Sequence, residues 1–353
     1  MTQNSSYVVT RHNVHVYSPI ILEKIHKASY ISVDTEFSGL GDPKLTRLSN
    51  IQERYNYLKT LVENHALFSL AFCIVSPDNT YFNVEFMLFK EKEYSVSSSA
   101  LKFLLKNGFD FNYQIENGIS YGGDQSNPIS PLVEELVKFK KKIVVHNGLL
   151  DLMFLYNYFY LPLPKNLESF VADLYDMFGG VHDTKYVSDY NTREENERHS
   201  SRIETPVFLT IEDIYIQEPI APEIKVKNQL CQSFANHGHC SNERCDLSHN
   251  IQQVLDSDEN LKHKKIKKDE TISHHVMTVG KSSEPHSSMH DAFMTAYVYA
   301  YQKFINREDT DFDMDNVNKL YLIGKELPLL VHKSGFSKYS KNHSEKISKL
   351  RAQ

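Results

Sequence analysis

"ISVDTEFSGLG", residues 31–41, places Asp34 and Glu36 two positions apart at the end of an apolar run. Side chains of a strand alternate between its faces, so positions i and i+2 project from the same side about 7 Å apart. Both acids therefore share one face. Two carboxylates on a half-buried face repel each other and lose hydration, which raises their pKa unless a cation sits between them. A divalent metal ion removes that cost. A strand end at the surface with two solvated acids is the plainer alternative, and the rest of the chain has to decide between them.

Working outward, "NIQERYNYLKTLVENH" (50–65) reads as an amphipathic helix. "ALFSLAFCIVS" (66–76) and "TYFNVEFML" (80–88) read as strands joined by a Pro-Asp-Asn turn, so the first three strands form a meander. Residues 107–130 are polar and rich in Gly, Asn and Pro, the composition of an exposed loop or a helix-loop excursion. "KKKIVVH" (140–146) is a short buried strand. "NGLLDLMFLYNYFY" (147–160) is a helix with Asn147 as its N-cap and "LPLP" as its terminator. A helix near 167–178 then leads to "VHDTKYVS" (181–188), a fifth strand. Strands followed by a strand-helix-strand crossover predict an α/β mixed sheet with helices on both faces.

Between residues 189 and 285 the character changes. "DYNTREENERHSSR" and "DSDENLKHKKIKKDE" are highly charged and poor in aromatics, the profile of linkers. Helical spacing of Phe293, Ala296, Tyr297, Ala300 and Phe304 marks the return of a packed element. These patterns divide the chain into one discontinuous domain (1–188 and 286–353), a charged linker (189–227), a cysteine-rich segment (228–250) and a basic linker (251–285).

Two further acids join the first pair. Asp151 lies in a helix that is apolar nearly all round, where an unpartnered carboxylate is costly. Asp291 opens the late helix, where Ser288-x-x-Asp291 also resembles a capping box. Two acids on a strand and one on each of two helices form the arrangement that builds a paired-metal centre in an RNase H-like sheet. Two ions about 4 Å apart can clamp both the attacking and the leaving oxygen of a phosphodiester.

"VDTEFSGLG", "HNGLLDLMFLYNYFYLPLP", "HDTKYV" and "HSSMHDAFMTAY" resemble the successive motifs of the DEDD-type 3′-exonucleases, and among them the deadenylases of the poly(A)-specific ribonuclease and CAF families. The resemblance spans residues 29–188 and resumes at 286. It implies that Asp34, Glu36, Asp151 and Asp291 hold two Mg²⁺ or Mn²⁺ ions and that the substrate is RNA with an adenosine-rich 3′ tail, trimmed to 5′-AMP. For the general base, histidine suits neutral pH. His290 would project about 100° from Asp291 on a helix, whereas His286 can approach the acids from the preceding loop. The histidine subtype of the family agrees with His286, five residues before the last aspartate. The tyrosine subtype would need tyrosine at 287, where this chain has serine. Phe37, Leu40 and the "QERY" of 52–55 are expected walls of the substrate groove.

"CQSFANHGHCSNERCDLSH" supplies Cys231, Cys240, Cys245 and His249, a closed CCCH shell suited to one structural Zn²⁺. The spacing is similar to that of fingers that bind single-stranded RNA, with Phe234 and Arg244 as the expected RNA contacts; binding of a protein is the alternative. A finger inserted between nuclease motifs and followed by the basic run Lys262–Lys268 resembles the nuclear target-of-EGR branch of the deadenylases and implies nuclear residence.

Bulk properties narrow the remaining classes. A net charge of −6 confines any nucleic-acid contact to local basic patches. No apolar run approaches the roughly 18 residues that cross a bilayer, and "MTQNSSYVVT" has no signal-peptide core, so a soluble intracellular protein without membrane partners is expected. Four cysteines, three of them clustered, make a poor disulfide framework. "GISYG" (118–122) matches the G-x-S-x-G of serine hydrolases, but a nucleophile elbow needs a strand before it and a helix after it. A non-catalytic RNA-binding adaptor, with the finger as its working part, is the alternative to the nuclease.

Overall fold

The computed structural model describes residues 4–123, 127–195, 216–217, 245, 287–307 and 310–352. The chain divides into Met1–Pro219 with Ser282–Gln353, and Ile220–Lys281. Of the second unit only Cys245 is among the described residues, so every described strand and helix belongs to the first.

β1 (Ser5–Val9) and α1 (Val14–Lys27) precede β2 (Tyr30–Phe37). α2 (Ile51–Asn64) starts at Asn50, whose side chain accepts the backbone N–H groups of Gln52 and Glu53. β3 (Leu67–Val75) and β4 (Tyr81–Lys90) complete the expected meander. The described residues of 107–130 form the helix-loop excursion of the two expected forms, with a short strand added. After α3 (Ser98–Lys106), it carries α4 (Phe111–Asn117) and β5 (Ile119–Tyr121), and α5 (Ser130–Lys138) begins at its end. An aromatic cluster of Phe68, Phe109 and Phe111 ties this excursion to β3. β6 (Ile143–Val145), α6 (Leu149–Phe159), α7 (Leu167–Met177) and β7 (Val181–Asp183) follow. Then come α8 (Thr184–Glu195), β8 (Ile216–Gln217), α9 (Ser288–Ile305), α10 (Phe312–Asn316), β9 (Lys319–Leu320), β10 (Leu329–Leu330) and α11 (Lys341–Ala352).

Ten strands form one mixed sheet in the order β10-β9-β7-β6-β2-β3-β4-β1-β8, with β5 paired to β4. β2 runs antiparallel to β3 and parallel to β6, so the strand with the two acids lies in the middle of the sheet. The alternation along it sorts the layers. Ile31 and Val33 face a large core shared with α1, α2 and α5–α7, whereas Ala71, Cys73 and Val75 of β3 pack on Ala292, Phe293, Ala296 and Ala300 of α9. The small side chains at 292, 296 and 300 let α9 lie close to the sheet. Ser32 fixes its depth by donating to the Ala292 carbonyl at 2.6 Å. The expected α/β mixed sheet, with helices on both faces, is the fold observed.

Four local expectations need correction. Residues 184–188 are helical, because the buried Asp183 carboxylate accepts the Lys185 N–H at 3.0 Å and so opens a helix where a strand was expected to continue. That helix extends to Glu195, past the expected boundary at 189, and Ile216–Gln217 of the expected linker pairs with β1. Asn147 does not cap α6. It adopts φ 57°, and its N–H donates to Asp183, which leaves Gly148 at the cap position. Ser287, not Ser288, caps α9 by accepting the His290 N–H.

The G-x-S-x-G match is not an elbow either. Ser120 is an exposed mid-strand residue of β5, opposite Phe89. Cys231, Cys240, His249, Phe234, Arg244 and Lys262–Lys268 lie outside the described residues. Among the described residues, no helix is long and apolar enough to cross a membrane.

Gly148 joins β6 to the helix that carries Asp151, and a Cβ there would overlap the Val145 side chain. Gly148→Ala is expected to cost about 1–3 kcal/mol by overpacking, measured as a lower urea midpoint with unchanged slope.

Candidate active site

Because β2 alternates, Asp34 and Glu36 point to the α9 side and Thr35 to the α6 side. Asp291, one turn into α9, is carried over the strand end by the packing of Ala292 and Phe293 on β3. Carboxylate oxygens of Asp34, Glu36 and Asp291 all lie within 4.8 Å of one another. Asp151 reaches the same strand from the opposite layer, where it accepts the Thr35 hydroxyl at 2.6 Å. All four acids singled out by sequence thus converge on one strand. His286 lies outside the described residues. His290 leaves a buried Nδ1 without a hydrogen-bond partner among them.

The electrostatics match the crowding. Burial pushes the Asp34 carboxyl well above the usual range, and the charges acting on it, Asp151, Asp291, Glu36 and Glu85, are all of its own sign. Glu36 is pushed up to about 8 by burial first and then by Asp291, Glu85 and Asp151. Asp151 rises to about 6 through burial, with the Thr35 hydroxyl pulling the other way. Such a cluster holds protons or cations near neutral pH.

Three contributors escaped sequence reasoning. Glu85 is a fifth acid, buried on β4, which accepts the Ser288 hydroxyl at 2.7 Å. Ser288 and Ser69 hydroxyls are 2.8 Å apart, so β3, β4 and the first turn of α9 are tied together beside the acids. The available signal was a glutamate between Val84 and Phe86 in the middle of a mainly apolar strand. His146, at the end of β6, lines the cavities on both sides of Asp34. Its imidazole is hydrogen-bonded to Thr184 at 2.9 Å. Arg54 was named only as a groove wall. It is buried, and lines with Phe37 and Leu40 a cavity of about 380 Å³ that opens onto Asp34 and Asp151.

The model of CAF1 family ribonucleases matches residues 9–128 and 124–299. The chain belongs to the CAF1 ribonuclease family. Among the similar proteins, poly(A)-specific ribonuclease PARN of Xenopus laevis is 32% identical over 131 residues, 32% of this chain and 21% of that protein. PARN of Homo sapiens is 30% identical over 119 residues, 29% of this chain and 19% of that protein. The chain thus spans about a fifth of the length of these relatives. A solved structure of S. pombe Pop2p, in its Mg²⁺- and Mn²⁺-bound form, superposes with a TM-score of 0.54 at 16% identity, covering 90% of this chain and all of the other. The mixed sheet is therefore a CAF1-type fold. The cysteine-rich insertion and the target-of-EGR branch are not part of what these matches establish.

A carboxyl whose pKa is raised by folding binds its proton more tightly in the folded state. Its stabilising contribution is complete below the unfolded pKa near 4.3 and is lost as pH rises through the folded value. In EDTA, Glu36→Gln should therefore gain stability relative to wild type, and the gain should grow between about pH 4.5 and pH 8. Parallel melting curves across that window would contradict the site's charge crowding.

Proposed function

We propose that this chain is a metal-dependent 3′→5′ exoribonuclease that shortens adenosine-rich RNA tails and releases 5′-AMP. The observation that carries the reading is the convergence of the Asp34, Glu36 and Asp291 oxygens within 4.8 Å, with Asp151 held at the same strand. Like-signed carboxyls with raised proton affinity are a hard-oxygen donor set, and they fit Mg²⁺ or Mn²⁺. When bound, the ions would neutralise the carboxylates and polarise a phosphoryl oxygen as Lewis acids. The PARN relatives, named as poly(A)-specific ribonucleases, support the choice of substrate.

The residues of the chain divide the remaining work. His286 accepts a proton from the attacking water as the new oxygen–phosphorus bond forms and the bond to the departing 3′ oxygen breaks. Thr35 fixes Asp151 by a direct hydrogen bond, and Ser288 with Glu85 fixes the first turn of α9, on which Asp291 sits. The Phe37 ring stacks on Phe154 at 4.8 Å between centroids and offers a rigid apolar wall to a nucleoside.

The test uses the purified chain, a labelled RNA with an oligo(A) tail, and Mg²⁺. A ladder of shortened products supports the enzyme. A gel shift without shortening supports the adaptor. Asp34→Asn should reduce shortening to background while the protein remains folded, and Mn²⁺ should raise the melting temperature of wild type but not of Asp34→Asn. Ser120→Ala should shorten the tail at the wild-type rate. For the insertion, we assign one structural Zn²⁺ to Cys231, Cys240, Cys245 and His249. Elemental analysis should find about one zinc per chain, lost in Cys240→Ser.

A further inference from the structure

The cavity beside the acids contains a charge that the nuclease reading leaves unexplained. Arg54 on α2 is only 5% exposed. The one hydrogen bond of its guanidinium among the described residues runs from Nη1 to the Ile323 carbonyl at 3.1 Å, and the buried Nε–H has no partner among them. It makes no ion pair with any described carboxylate. A second guanidinium, the exposed Arg47, lines the same cavity and adds positive charge near it, and burial with Arg47 weakens proton binding at Arg54.

A buried arginine normally has a carboxylate or phosphate partner, because desolvating an unpaired cation costs several kcal/mol. This one has a backbone carbonyl and an adjacent space instead. The space has about 380 Å³, with Asp34 and Asp151 on its lining together with the apolar side chains of Phe37, Leu40, Leu149 and Ile323. Such a volume suits one nucleotide.

We infer that Arg54, assisted by Arg47, forms a phosphate-binding subsite that takes an oxyanion of the RNA one nucleotide from the acid cluster. A guanidinium is a pure donor, so it compensates its charge only with an anion, and phosphates are the anions of an RNA chain. The planar fork suits two phosphoryl oxygens at once. The source is an internal phosphodiester of the substrate, and a 3′-terminal phosphate would satisfy the same chemistry. This inference rests on the reading of the cavity as an RNA site, not on turnover.

The experiment measures binding of an eight-nucleotide oligoadenylate to the full chain by fluorescence anisotropy. Ca²⁺ replaces Mg²⁺, and a gel confirms that the RNA stays intact. The RNA is natural, or carries an uncharged methylphosphonate at each of the last three linkages in turn, or ends in a 3′-phosphate. Arg54→Gln should weaken natural RNA about tenfold or more, the range of one charge-assisted contact, with Arg54→Lys intermediate. One methylphosphonate should cost wild type a similar factor and cost Arg54→Gln nothing further. If only the 3′-phosphate binds wild type better than it binds Arg54→Gln, the terminal phosphate is the occupant.

Equal affinity of wild type and Arg54→Gln for both natural and 3′-phosphorylated RNA would overturn the subsite. So would equal methylphosphonate losses in both proteins at every linkage, which would make Arg54 merely structural. Should Arg54→Gln not fold, Arg54→Lys carries the same cycle. Wild type that binds RNA in this pattern but shortens nothing in Mg²⁺ would leave the subsite standing and remove the nuclease.

Discussion

Mutual repulsion among carboxylates at the end of β2 is the constraint that organises this molecule. Two ionised groups about 5 Å apart at an effective dielectric near 20 repel by roughly 3 kcal/mol. Three such pairs approach the whole net stability of a typical domain, about 5–15 kcal/mol. The fold must therefore supply enough binding between its layers to force acids together, and it must leave them a way to shed charge. The first need is met by the α9 interface, where alanines at 292, 296 and 300 bring the helix down on β3 and Ser32 locks to the Ala292 carbonyl. The second is met by proton uptake, visible in the raised Asp34, Glu36 and Asp151 carboxyls, or by cations.

The same constraint explains why the acids come from two layers. One strand can present only alternate residues to one side, so Asp34 and Glu36 exhaust what β2 offers at its end. A third carboxyl has to arrive on α9, from the face that those two share. A fourth has to come from the opposite layer, where the intervening Thr35 points and holds Asp151 by its hydroxyl. Glu85 belongs to this logic as a support. Its two serine neighbours join β3 and β4 to the first turn of α9, so the position of Asp291 depends on a buried acid that is not among the three converging carboxyls.

Legibility followed signal strength. β2, β3, β4, α2 and α6 were readable because their hydrophobic runs are long and their turns chemically marked, and Asp34, Glu36, Asp151 and Asp291 were readable because carboxylates are conspicuous in apolar surroundings. β1 and α1 passed unnoticed: five residues of strand are too short for a clear period, and α1 contains Pro19, a residue that normally argues against helix. Residues 184–188 read as strand from Tyr186 and Val187, yet Asp183 overrides that preference through three backbone N–H groups, those of Asn147, Lys185 and Tyr321. No local pattern encodes such a contact between residues 147, 183 and 321. Arg54 illustrates the same limit at the site. Its sequence neighbourhood marks a polar position on an amphipathic helix, and only the packing of α2 shows that the guanidinium is buried.

Charge also sets how a polyanion can enter. The chain carries −6 overall and gathers its acids at the end of β2, so any polyanion approaching without cations meets repulsion at long and short range. The lining of the cavity offsets that sign locally, with Arg54 and Arg47 set against Asp34 and Asp151. On the proposed function, an RNA end would be held by two unlike means, a guanidinium for one phosphate and cation-bridged carboxylates for another. Neither alone would suffice: a guanidinium supplies no Lewis acid, and acids without cations repel a polyanion. The spacing between the two sets would then act as a ruler along such a backbone, set where α2 and α6, the helices that carry Arg54 and Asp151, pack against each other.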